Sequence, residues 1–169
     1  MAAAFVLGPS QGTRMACSWR TDGELHGAIK LHWAPPSGAM PRRWWERSQE
    51  VLSIGFDPVL QARVMAEIAA NCRTVCDEVL TRMEMRRDEI DIFIGHQPMS
   101  WYSALMEDVL ELGDSVAFDT FEEYGTINAA GISATLHEAL RRGRIKKGSN
   151  VLLFGPSAGY TYGAMAIRW

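Results

Sequence analysis

Ile90-Asp91-Ile92-Phe93-Ile94-Gly95-His96-Gln97-Pro98-Met99-Ser100-Trp101 is the stretch from which the fold of this chain is read. Ile90, Ile92 and Ile94 alternate, with Phe93 between them, and the run reads as a buried strand. Gly95 ends it, and His96 stands where the strand opens into a loop. Pro98 suits the first turn of a following helix, because its missing N–H would have had no partner there. A histidine at the carboxyl end of a strand in an α/β sheet is where such folds put ligand and catalytic groups. The same residue can also be read as a core histidine bonded to a backbone carbonyl.

Working outward, the 169 residues make one domain of ordinary size, and their 47% hydrophobic content is enough to build a core. A net charge of -3 with both signs interspersed gives no electrostatic case for nucleic acid. No apolar run is long enough to span a bilayer, and the opening Met1 to Gly8 lacks the basic region of a signal peptide. Three cysteines without framework spacing fit a reducing compartment. These features predict a soluble, cytoplasmic α/β protein with no membrane and no nucleic-acid partner.

Upstream, residues 3–7 read as a strand with no lead-in, Arg14 to Trp19 as a second and Leu25 to Trp33 as a third. A chain that begins inside a sheet implies either an edge covered by a partner or a longer protein. An irregular Pro-rich connection follows, and then Trp44-Trp45. Adjacent tryptophans cannot share one helix face, so one of them meets a partner or ligand, or the pair closes over the sheet edge. Asp57 is the expected N-cap, and Pro58 the first residue, of a helix running to about Met83. Its apolar positions, from Val59 and Leu60 to Val79 and Leu80, recur at three- and four-residue steps. Cys72 and Cys76 share that face; they read as small core residues, since no third ligand stands at metal spacing.

Downstream, a helix from Pro98 to about Leu112 is expected, then a short strand over Val116 to Phe118. A third helix opens at Tyr124-Gly125-Thr126-Ile127-Asn128-Ala129-Ala130-Gly131 and ends at Arg141-Arg142, with Gly143 as its stop. Val151 to Phe154 reads as a buried strand, Gly155-Pro156-Ser157-Ala158-Gly159 as a small-residue loop, and Tyr160 to Trp169 as a last strand. The tight Ser157-Ala158-Gly159 loop could offer backbone N–H groups to an oxyanion, or be an ordinary connection. The order of elements predicts a layered α/β domain with a mixed sheet.

Four stretches together resemble one family. Asp91 to Gln97, Tyr124-Gly125 with Ala129-Ala130, Glu138 to Gly148 and Gly159-Tyr160-Thr161-Tyr162-Gly163-Ala164 fall in the order and spacing of β-ketoacyl-acyl-carrier-protein synthase III. The resemblance implies a thiolase-like fold of two related halves. Residues 1–36 would be the crossing strands at the end of the first half, and residues 37–169 the C-terminal domain. It implies an acyltransferase of fatty acid or polyketide-type biosynthesis that takes acyl-CoA or acyl-carrier-protein thioesters and needs no cofactor. In that family a cysteine carries the acyl group, while a histidine and an asparagine stabilise the enolate formed as a malonyl thioester loses carbon dioxide.

His96 matches the family histidine. The asparagine position, directly after Tyr-Gly, holds Thr126; Asn128 lies two residues on, and Ala158 falls in the expected oxyanion loop. The family's His-Gln-Ala-Asn-x-Arg reads His96-Gln97-Pro98-Met99-Ser100-Trp101, without the arginine associated with carrier-protein or coenzyme A engagement. None of Cys17, Cys72 and Cys76 occupies the nucleophile's position. The resemblance therefore implies a cysteine on a separate or missing N-terminal half, or on a homologous synthase subunit. Two other readings stay open: acyl transfer to an alcohol or amine without decarboxylation, and a non-catalytic subunit that stabilises a competent partner.

Overall fold

The computed structural model describes residues 3–5, 8, 9, 12, 14–34, 51–113 and 116–169. Its elements are β1 (Arg14–Thr21), β2 (Ile29–Ala34), β3 (Val51–Phe56), α1 (Pro58–Met83), β4 (Ile92–Gly95), α2 (Tyr102–Leu110), the single turn α3 (Phe121–Tyr124), α4 (Gly131–Arg141), β5 (Asn150–Ser157) and β6 (Thr161–Arg168). Four strands form one mixed sheet in the order β1-β6-β5-β4, and β2 and β3 form a separate antiparallel ribbon. β4 runs parallel to β5, with Ile92 opposite Val151, whereas β5–β6 and β6–β1 are antiparallel. The layered α/β architecture with a mixed sheet is as expected.

Alternation along the strands decides which helix covers which face. Phe93, Leu152, Phe154, Tyr162, Ala164 and Ala166 point into the core shared with α1 and α2. Ile92, Ile94, Val151 and Ile167 point the other way, onto Leu136 and Ala139 of α4. All four residues of β4 are buried, as a strand covered on both faces requires.

α1 has the expected bounds for the expected reasons. The Asp57 carboxylate accepts from the N–H groups of Val59 and Leu60, both at 3.0 Å, and Pro58 occupies the first turn. Glu84 ends the helix in the left-handed conformation, with its N–H on the carbonyls of Leu80 and Thr81. Cys72 and Cys76 lie fully buried on its core face. Contact with the Cys72 thiol, together with burial, pushes the Cys76 thiol up, so it stays protonated.

Elsewhere the boundaries differ. The expected strand from Leu25 starts only at Ile29, because Asp22 caps a 3-10 turn over Gly23–Gly27 and accepts from the Glu24 N–H. β3 is absent from the sequence reading, although Leu52, Ile54 and Phe56 alternate with Ser53 and Gly55. α2 begins at Tyr102 rather than Pro98, since residues 98–101 form a turn in which Tyr102 N–H reaches the Met99 carbonyl at 3.1 Å. It stops at Leu110, where Glu111 takes a positive φ of 53°. The stretch expected to open the third helix is divided: Tyr124 closes α3, a 3-10 turn spans Asn128–Ala130, and α4 proper starts at Gly131. Gly155 to Ser157 belong to β5, which shortens the expected loop to a turn at 158–160. Ala3 to Phe5 lie outside any strand, while Val6, Leu7, Trp44 and Trp45 lie outside the described residues.

Candidate functional site

The first site candidate, His96, stands where β4 ends. His96 is the first residue past the strand, and its backbone N–H donates to the Phe154 carbonyl at 2.8 Å, adding one rung to the parallel ladder. That rung fixes the backbone from which the imidazole projects. The side chain is half-buried, and among the described residues nothing hydrogen-bonds its ring. Burial lowers its pKa from the ordinary 6.5, so the ring is neutral at pH 7. A neutral imidazole carries one N–H donor and one acceptor nitrogen, which suits it to general-base or hydrogen-bond-donor work.

Gly155 lies next to Phe154 on β5. A Cβ there would sit 2.9 Å from the δ-carbon of Ile132 and 3.9 Å from the His96 Cβ. The missing side chain lets the first turn of α4 close down on the sheet beside the histidine.

Thr126 reaches the neighbourhood through its predecessor. Gly125, at a φ of 62°, turns the chain out of α3, and its carbonyl accepts from the Gln97 amide at 3.0 Å. Gln97 directly follows His96, so one hydrogen bond ties the Thr126 loop to the residue beside the histidine. Thr126 itself is exposed. Asn128 is exposed too, opens the 3-10 turn with a φ of 49°, and accepts the Gly131 N–H on its carbonyl. Ala158 is exposed in the turn between β5 and β6, and no hydrogen bond joins it to His96. Trp101 is exposed beside Met99 and Leu105 at the start of α2.

The structure thus brings the Thr126 loop to the His96 strand end and leaves Ala158 at a separate turn. It also singles out Gln97, which the sequence reading treats only as part of a motif. Gln97 is almost fully buried, as are Thr120 and Thr135, to which it bonds. The available signal was a polar amide two residues past a buried strand, which must find partners if it is buried.

We expect the His96 ring to titrate below 6.5 in a histidine-selective NMR pH series. Because the folded-state value is depressed, the unfolded chain takes up a proton there first. His96 therefore contributes stability that is present above about 6.5 and lost as pH falls through the lowered value. A titration midpoint at or above 6.5 would contradict the burial argument.

The family model for the 3-oxoacyl-[acyl-carrier-protein] synthase III C terminal matches residues 80–169. The β-ketoacyl-[acyl-carrier-protein] synthase III of Clostridioides difficile (strain 630) is 28% identical over 174 residues, covering 99% of this chain and 50% of the relative. Its counterpart in Koribacter versatilis is 34% identical over 93 residues, covering 55% of this chain and 28% of the relative. The chain spans about half the length of the first of these relatives, or less of the others. A crystal structure of 3-oxoacyl-(acyl carrier protein) synthase III from Pseudomonas aeruginosa PAO1 superposes with a TM-score of 0.76 at 24% identity, covering 91% of this chain and 45% of that one. These likenesses show a thiolase-like fold.

Proposed function

Because this chain belongs to the 3-oxoacyl-[acyl-carrier-protein] synthase III C-terminal family, we propose that it supplies His96 and the Thr126 loop to an acyl-thioester site completed by a cysteine on an N-terminal half. The observation that carries this reading is the neutral, half-buried His96 ring with no hydrogen-bond partner among the described residues, standing just past β4. The chain's own cysteines support a nucleophile elsewhere. Cys72 and Cys76 are buried inside α1, and Cys17 is half-buried on β1 opposite Met165. In the assembled site a cysteine thiolate attacks the thioester carbonyl. The new S–C bond replaces the old one, and the departing thiolate takes up the proton that the cysteine gave up. His96 then faces the acyl carbonyl as hydrogen-bond donor or base. The substrates are acyl-CoA or acyl-carrier-protein thioesters of fatty acid or polyketide-type synthesis.

Thr126 favours a second reading of the next step. A hydroxyl offers one donor where an amide offers two N–H groups. Decarboxylation of a malonyl thioester builds an enolate that wants those donors, whereas transfer of the acyl group to an alcohol or amine forms no enolate and needs a histidine base for the acceptor's proton. The experiment assembles the chain with a cysteine-bearing first half of a synthase III. It then measures transfer of a radiolabelled acyl group from acyl-CoA to the cysteine, and carbon dioxide release from malonyl-CoA. Acyl loading is expected. Carbon dioxide release is expected to be slow and to rise about 10²–10³-fold in Thr126→Asn, the size of effect seen for a single oxyanion donor. Brisk release by the unaltered chain, or no change in the variant, overturns the non-decarboxylating reading. Absence of acyl loading overturns the first.

A further inference from the structure

Gln97 is joined to three other parts of the chain at once. Its amide Nε2 donates to the Gly125 carbonyl at 3.0 Å and to the Thr120 hydroxyl at 3.3 Å. Its Oε1 accepts from the Thr120 backbone N–H at 3.1 Å and from the Thr135 hydroxyl at 3.2 Å. The two threonine hydroxyls are 2.9 Å apart. The donors therefore form a closed circuit: Gln97 N–H to Thr120 hydroxyl, Thr120 hydroxyl to Thr135 hydroxyl, Thr135 hydroxyl back to the Gln97 oxygen. Both amide N–H groups and both oxygen lone pairs are used. Residue exposures of 1%, 2% and 0% for Gln97, Thr120 and Thr135 keep water from substituting for any member.

The circuit spans the end of β4, the segment entering α3, the Gly125 turn and the second turn of α4. No glutamate could fill the place while ionised, because a carboxylate cannot donate to the Gly125 carbonyl. An apolar residue would leave the buried Thr120 N–H and the Gly125 carbonyl without their partner, and the two threonine hydroxyls with only each other.

We propose that Gln97 is a positioning residue that sets where the Gly125–Thr126 loop stands relative to His96. Its value to chemistry rests on the acyl-transfer reading above, but its action on the loop does not. The Gly125 turn has a positive φ, its N–H bonds back to the Phe121 carbonyl at 2.8 Å, and its carbonyl is held across the fold by Gln97 before the exposed Thr126 follows. Without the amide the loop is released while the α1–β6 core, on the opposite face of the sheet, is left intact.

Amide hydrogen exchange on the full chain, with every variant at pH 5, tests this. The amides to follow are those of Thr120, Tyr124, Gly125 and Ala130, each hydrogen-bonded in the structure. In Gln97→Met, similar in volume but without the amide, they are expected to exchange at least tenfold faster. The amides of Val75 to Val79 in α1 should stay within twofold. Gln97→Glu at pH 5 is the rescue: a protonated carboxyl has one donor for Gly125 and one acceptor for Thr120, so exchange should return to within threefold of the unaltered chain. Unchanged exchange in Gln97→Met overturns the proposal, as does an equal acceleration in α1 and the loop. A Gln97→Glu chain as fast as Gln97→Met overturns it as well. The readout uses no thioester, so it succeeds or fails independently of the acyl-transfer assay.

Discussion

His96→Ala, in a complex of this chain with a cysteine-bearing first half, is expected to lower acyl transfer by about 10²–10⁴-fold, the range for losing a positioned acid–base group. The histidine stands just past β4 on a backbone rung to Phe154, with its ring free of partners among the described residues. Truncating it removes the imidazole without removing a hydrogen bond among the described residues. Thermal stability of the complex should accordingly stay within a few degrees of the unaltered complex. The measurement pairs initial rates with a melting curve. Transfer at the original rate with an unchanged melt would show that the chain acts as a non-catalytic scaffold for its partner. A loss of rate matched by a loss of folding would remove the catalytic assignment as well.

Phe93→Ala is expected to destabilise the chain by about 3–5 kcal/mol, the usual cost of deleting a buried phenyl ring. Against total stabilities of about 5–15 kcal/mol, that is enough to unfold much of the population near physiological temperature. Phe93 is fully buried in the α1–α2 core. Its ring also lies 3.3 Å from where a Cβ on Gly95 would stand, so it forms the floor beneath the last residue before His96. Its backbone joins the strand to residues 116–118, accepting from Phe118 N–H and donating to the Val116 carbonyl, both at 2.9 Å. A urea titration reads the loss directly. A shift in midpoint equivalent to less than about 1 kcal/mol would mean that the core collapses around the gap, and that β4 does not depend on this ring.

What could be read from the sequence was what local chemistry decides. The bounds of α1 were legible because an acidic cap, a proline in the first turn and a three-and-four apolar repeat all agree, although its buried face begins only at Val64 and leaves Val59 and Met65 exposed. β4 and the position of His96 were legible because a strand buried on both faces leaves an uninterrupted apolar run. The Gln97 circuit was not, because its partners lie 23, 28 and 38 residues further along the chain. Those same distant bonds hold Gln97 in the interior, and residues 98–101 turn before α2 starts, so the proline that looked like a helix start is not one. Asn128 and Ala158 show a related limit. The resemblance marked them as site candidates beside Thr126; all three side chains lie on exposed segments, and what the structure adds is the Gln97 bond to the Gly125 carbonyl, one residue before Thr126.

The pairing of β1 with β6 has a consequence for the time course of folding. These strands lie 140 residues apart even at their nearest partners, Thr21 and Thr161. Closing so long a loop costs about 4 kcal/mol of chain entropy, by the logarithmic dependence on loop length. The parallel pairing of β4 with β5 and the hairpin of β5 with β6 close much shorter loops. β1 is thus the strand whose arrival is slowest, and until it docks, β6 presents an unpaired edge to solvent. Refolding from denaturant should be correspondingly slow and concentration-sensitive, because another copy of the chain can add to that edge before β1 reaches it.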